Sequence, residues 1–149
     1  MWKLLSLSIV ALIVVGCAKP KKVAVVYPPL ITADAAPVIS KSKKSAGIKI
    51  DFKNITDSSY SYARFKLTAY NSTGDVIKPK KGNRSSAYVR LAGPINPGAS
   101  KTTTWSNTWA NNKLQCISLD EVELIFADGS VETATDNRLL SNKQGRACI

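Results

Sequence analysis

The stretch GIKIDFK, Gly47 to Lys53, decides the fold class. Ile48, Ile50 and Phe52 fall on one face of an extended chain and Lys49, Asp51 and Lys53 on the other. That period of two belongs to a half-buried β-strand.

The same period continues toward the C-terminus. In YARFKLTAYN, Ala63, Phe65, Leu67 and Ala69 are expected to face inward while Arg64, Lys66, Thr68 and Tyr70 face solvent. Asn71-Ser72-Thr73-Gly74-Asp75 supplies turn chemistry before a short Val76-Ile77 strand. Ala87, Val89 and Leu91 alternate with Tyr88 and Arg90, and the segment GPINPG reads as a turn before a threonine-rich strand from Lys101 to Trp109. Leu114 to Leu119 is a further candidate strand. Val122, Leu124 and Phe126 alternate with Glu121, Glu123 and Ile125, and Asp128-Gly129 is a hairpin signal leading into Val131 to Ala134. About seven short strands without sustained helical periodicity predict an all-β fold, an antiparallel immunoglobulin-like β-sandwich with one disulfide.

Upstream of Gly47 the pattern changes. Residues 17–46 contain Pro20, Pro28, Pro29 and Pro37, with lysine clusters at both ends, and read as a basic tether. As a flexible chain they would span about 30 Å on average and about 95 Å stretched. The apolar middle leaves two readings open: Val23 to Tyr27 and Leu30 to Thr32 form an edge strand on the domain, or they dock on another protein. Residues 18–46 hold six lysines against Asp34 alone, so the tether is the more densely basic part of a chain whose formal charge is +11. Lys19, Lys21 and Lys22 are placed to meet anionic headgroups or simply to be solvated.

At the N-terminus, Lys3 precedes an apolar or small run from Leu4 to Val15, the charged-then-apolar order of a secretory signal. The run is shorter than the roughly 20 residues of a membrane span. Val14-Val15-Gly16-Cys17 resembles the lipobox of bacterial lipoproteins. The resemblance implies cleavage between Gly16 and Cys17, a diacylglyceryl thioether on Cys17, and acylation of the new amine. It makes residues 1–16 a removed signal, 17–46 a lipidated tether and 47–149 the sandwich domain. Each buried CH₂ contributes about 0.8 kcal/mol, so two or three acyl chains give a durable anchor. Ala18 follows the cysteine where Asp would imply retention in the inner membrane, so the implied address is the outer membrane facing the periplasm.

Setting Cys17 aside leaves Cys116 and Cys148, a pair that in an oxidising envelope reads as one disulfide. By loop closure it is worth about 3 to 4 kcal/mol, and it would pin the tail to the strand that bears Cys116.

Residues 47 to 135 also resemble bacterial extracytoplasmic immunoglobulin-like domains of the FxLYD kind. The matching pieces are Phe65-Lys66-Leu67-Thr68-Ala69-Tyr70-Asn71, Gly74-Asp75, Gly93 to Gly98, Trp105 with Trp109, and Asp128-Gly129-Ser130. Such modules carry no agreed activity, so the resemblance implies a fold and not a reaction.

The chain has no histidine, which removes Ser-His and Cys-His catalysis and the commonest general base. With two cysteines and scattered carboxylates, no metal site is expected, and no cofactor motif or phosphate-binding glycine loop is present. Asp120, Glu121 and Glu123 form the richest acidic patch. Glu121 and Glu123 share a strand face, as a carboxylate-based hydrolase would need, but they equally describe an outer face opposite basic residues.

Two features remain as contacts for a ligand or partner. Trp105 and Trp109 share a face of the strand WSNTW, to be core if inward or a stacking surface if outward. Lys78, Lys80, Lys81 and Arg84 form a basic loop suited to headgroups, phosphates or an acidic protein, whereas an envelope address argues against nucleic acid. The expected function is therefore that of a membrane-anchored envelope lipoprotein, a non-enzymatic module binding another envelope protein or serving a structural role. A module for cell-wall glycan or anionic lipid is the alternative.

Overall fold

The computed structural model describes residues 31–135, 139–140 and 148 of the chain. They form nine strands: β1 (Ile31–Ser40), β2 (Ser45–Asn54), β3 (Tyr60–Tyr70), β4 (Val76–Ile77), β5 (Ser86–Ile95), β6 (Ser100–Trp109), β7 (Cys116–Ile125), β8 (Val131–Ala134) and β9 (Leu139–Leu140). One sheet has the order β6-β2-β1-β9. The other runs β4-β3-β7-β8, with β5 pairing the same flank of β3 as β4. Every pairing is antiparallel except the short parallel contact of β1 with β9. The two sheets make the expected immunoglobulin-like sandwich, with Cys116 and Cys148 bonded, Cα atoms 5.9 Å apart.

The core follows the period of two. Ile48, Ile50 and Phe52 of β2 meet Ala63, Phe65, Leu67 and Ala69 of β3, all buried, and the Phe52 and Phe65 rings lock edge-to-face at 5.7 Å across the sheets. Each such large side chain contributes about 1.5 to 3 kcal/mol by leaving water.

Three boundaries differ from the sequence reading. First, residues 31–46, read there as tether, are β1, a turn and the start of β2, so Ile31 already belongs to the sheet. Ala33 and Ala35 are what β1 turns inward, against Phe52 and Ile50 of β2, and small residues give a weak hydrophobic pattern. Pro37 is tolerated because, among the described residues, β1 pairs on its outer side only at Ile31 and Thr32. The apolar residues Val23 to Tyr27, like Cys17 and the signal segment, lie outside the described residues.

Second, Leu114 to Leu119 and Val122 to Phe126 are not separate strands. They join in β7 through a bulge: Leu119 opposes Leu67 and Glu121 opposes Lys66, leaving Asp120 as the extra residue. The bulge flips the inward positions from odd, Ile117 and Leu119, to even, Val122 and Leu124.

Third, Gly93 to Ile95 of GPINPG belong to β5, and the turn is confined to the residues after them. The strand is bulged there, and a Cβ on Gly93 would lie 2.3 Å from the Ser61 carbonyl oxygen. That end of the sandwich is closed by buried Asn54. Its Nδ2 donates to the Ser58 and Ile95 carbonyls at 2.7 and 3.2 Å, and its Oδ1 accepts from the Thr56 amide and hydroxyl at 2.9 and 2.8 Å.

Candidate functional site

Among the described residues β5 pairs only with β3 and β6 only with β2, so the two sheets part between these edge strands. The basic segment between β4 and β5 crosses the gap, and its backbone is fixed where the Lys80 amide donates to the Thr108 carbonyl at 2.8 Å. Beneath it lies a cleft of about 620 Å³. Pro79, Lys80, Lys81, Gly82 and Arg84 form one wall, Ser86 to Val89 of β5 a second, and Trp105 to Thr108 of β6 the third. No Asp or Glu lines it, so three cations face the cavity without a carboxylate among its walls.

The shape of β6 sets the third wall. Trp105 pairs with Ile48 and Trp109 with Ala46, so three residues on β6, Ser106 to Thr108, oppose Gly47 alone on β2, and Asn107 adopts φ 56° within the bulge. Both indoles keep to one face, as their spacing predicts, and that face is the inward one, yet their fates differ. Trp109 is fully buried with Nε1 unpartnered, a core residue. Trp105 is half-buried, packed on Phe65 with ring centroids 6.4 Å apart, and lines the cleft. Gly47 is required opposite this bulge because a Cβ there would stand 2.3 Å from the Trp105 carbonyl oxygen.

Of the six residues the sequence suggested for contact, Lys80, Lys81, Arg84 and Trp105 come together, whereas Lys78 is exposed beside the cleft and Trp109 is core. Sequence reasoning did not find Ser86 or Asn107. The Ser45 hydroxyl donates to Asn107 Oδ1 at 2.6 Å, leaving the amide nitrogen as that side chain's donor. Ser86 Oγ lies 3.0 Å from Thr68 Oγ1, which donates to Asp120 Oδ2 at 2.6 Å. A polar residue just after a basic loop carries no such signal by itself. Tyr88, 42% exposed, sits with Arg64 and Arg84 guanidinium groups 5.7 and 5.8 Å from its ring.

The acidic residues do not line the cleft, although Asp120 is joined to it through Thr68 and Ser86. Arg64 and Glu123 form an ion pair, and Lys66 stands opposite Glu121. The hydrogen bond to Glu123 is the main reason the Arg64 pKa is raised above its ordinary value. Glu121 and Glu123 thus behave as the outer face of a strand opposite basic residues. Among the described residues no cluster of metal-ligating side chains occurs.

The cleft and Ile31, the first described residue, lie toward opposite ends of β2. Ile31 is opposite Asn54, and Trp105 opposite Ile48, six residues farther along β2, or about 20 Å. The β1–β2 turn carries exposed Lys41, Lys43 and Lys44 at the cleft end, where Ser45 reaches Asn107.

No family model matches the chain, and no curated protein does. Among solved structures it is similar to IrmA from Escherichia coli, with 7% identity and a TM-score of 0.53 over 76% of this chain and 91% of that one. At that identity the likeness is one of fold alone.

Proposed function

We propose that this chain is a lipoprotein of the bacterial envelope, held in the outer membrane by acyl chains on Cys17 and facing the periplasm, that works by binding. Its binding surface is the cleft between β5 and β6. The observation that carries this reading is the convergence of Lys80, Lys81, Arg84 and half-buried Trp105 on one concavity with no lining carboxylate. Catalysis has less support, since the chain lacks histidine and Glu123 is engaged by Arg64 and does not line the cleft.

The 13 residues between Cys17 and Ile31 reach at most about 45 Å, so the anchor confines the domain near the bilayer and raises its effective concentration for partners there. The lipobox resemblance supports the anchor, and Ala18 supports the outer-membrane address. The sequence put another envelope protein first among partners, with glycan or anionic lipid as the alternative. Trp105 in the wall favours the alternative, because docking along a sheet edge makes no use of a concavity.

Crosslinking in intact envelopes tests the reading, with Arg84→Ala and Cys17→Ser forms beside the wild type. The expected result is a captured envelope component that both substitutions diminish. Recovery of the wild type as monomer alone, with no change in phenotype for the unanchored form, counts against a tethered binding role.

A further inference from the structure

The chemistry of the cleft walls defines a ligand more narrowly than charge does. Lys80, Lys81 and Arg84 call for an acid group, and a guanidinium matches carboxylate or phosphate with paired donors. Trp105, held against Phe65 at a 55° tilt, offers a fixed apolar plate. Proton bookkeeping gives a third feature. Thr68 has one hydroxyl proton, and it is directed to Asp120. The Ser86 hydroxyl must therefore donate at its 3.0 Å contact with Thr68, which leaves Ser86 Oγ as an acceptor at the cleft. An acceptor has no use for a bare anion but takes a hydroxyl, and Asn107 supplies a donor on the facing wall of the same cleft.

We propose that the cleft binds an anionic saccharide, with its acid group at Lys80, Lys81 and Arg84, a ring face on Trp105, and a hydroxyl donated to Ser86. The inference rests on the cleft being the binding surface. An acidic peptide would satisfy the cations and leave the indole plate and the Ser86 acceptor unused. The volume, about 620 Å³, lies within the ordinary range for small-ligand sites.

The experiment is titration of the full chain in detergent, read by tryptophan fluorescence and calorimetry. The probes are N-acetylmuramic acid, N-acetylglucosamine 1-phosphate, neutral N-acetylglucosamine, inorganic phosphate and a hexaglutamate peptide. At least one acid sugar should bind saturably and perturb the emission, with the neutral sugar and inorganic phosphate at least about 10-fold weaker. Preference for the carboxylate sugar identifies the source as cell-wall glycan, and preference for the phosphate sugar identifies a phosphorylated glycan or headgroup sugar. Arg84→Ala, on an exposed loop, should weaken binding about 10-fold. Ser86→Ala should cost several-fold for the sugar and leave binding of inorganic phosphate unchanged.

Inorganic phosphate binding as tightly as the acid sugars, or no saturable sugar binding, overturns the proposal. If hexaglutamate binds in an Arg84-dependent way while sugars do not, the saccharide falls and the cleft remains the binding surface. If no probe binds and Arg84→Ala leaves envelope capture unchanged, both fall.

Discussion

The backbone amide of Lys80 donates to the carbonyl of Thr108 at 2.8 Å, tying a loop from one sheet to the edge strand of the other. The bond spans the gap between β5 and β6 and fixes the basic residues over a cleft instead of leaving them on a free loop. The Lys80 amide should therefore exchange with deuterium markedly more slowly than the exposed Lys81 and Gly82 amides, as read by NMR at neutral pH. Equal, unprotected rates across the three positions would show that the loop does not close the cleft.

The two tryptophans of β6 should separate cleanly by experiment. Trp109 is fully buried, and Trp109→Ala should cost about 3 to 5 kcal/mol in urea unfolding. Trp105 packs only part of its ring on Phe65, so Trp105→Ala should cost less than Trp109→Ala. Iodide should quench emission from Trp105 and leave Trp109 nearly untouched, with each indole isolated in a single-tryptophan variant. Comparable quenching of both would contradict the difference in burial.

The disulfide joins the first residue of β7 to Cys148. Closing a loop between residues 32 apart stabilises the fold by about 3 to 4 kcal/mol in the chain-entropy account. The Cys116→Ser, Cys148→Ser double variant should lower the urea midpoint by a corresponding amount, with the m-value checked for a changed unfolded state. A shift equivalent to less than about 1 kcal/mol would mean that the tail contributes little restraint.

Much of this was legible in residue order, and the exceptions have physical causes. Ile48, Ile50 and Phe52 announced β2 because large apolar side chains alternate with charged ones. Ala33 and Ala35 did not announce β1, since their burial depends on the neighbouring sheet being close and not on their own hydrophobicity. The bulge at Asp120 broke one strand into two apparent candidates, because periodicity assumes constant register. The basic loop and Trp105 were visible separately, yet nothing in their 21-residue separation from Arg84 to Trp105 says that they meet. That follows only from the placement of β5 and β6 on facing edges.

Two turn carboxylates give the stability a predictable acid dependence. Hydrogen bonds from Thr73 and then Asn71 hold the Asp75 pKa below its ordinary value, and the Ser130 hydroxyl and amide do the same for Asp128. Groups with depressed folded pKa values contribute stability above their unfolded pKa and lose it as pH falls through the folded value. The urea midpoint should thus decline below about pH 4, the unfolded aspartate range. Asp128→Asn should flatten part of that decline, and an unchanged pH profile in the variant would remove Asp128 as a contributor.

Gly47 links stability to the site. A Cβ added there would stand 2.3 Å from the Trp105 carbonyl oxygen and 3.0 Å from the Ser106 Cα, backbone atoms that cannot swing aside as a side chain would. Gly47→Ala must push the bulge of β6 outward, at a cost of about 1 to 3 kcal/mol by analogy with overpacked cores. Because that bulge carries Trp105, Ser106 and Asn107, the same substitution should alter the cleft. The expected outcome is a folded but less stable protein with a changed Trp105 emission maximum and NMR shifts extending from β2 to Ser86 and Arg84. Gly74→Ala, in a turn with open space around it but φ 85°, is the control: it should lower stability through backbone strain and leave the cleft resonances in place.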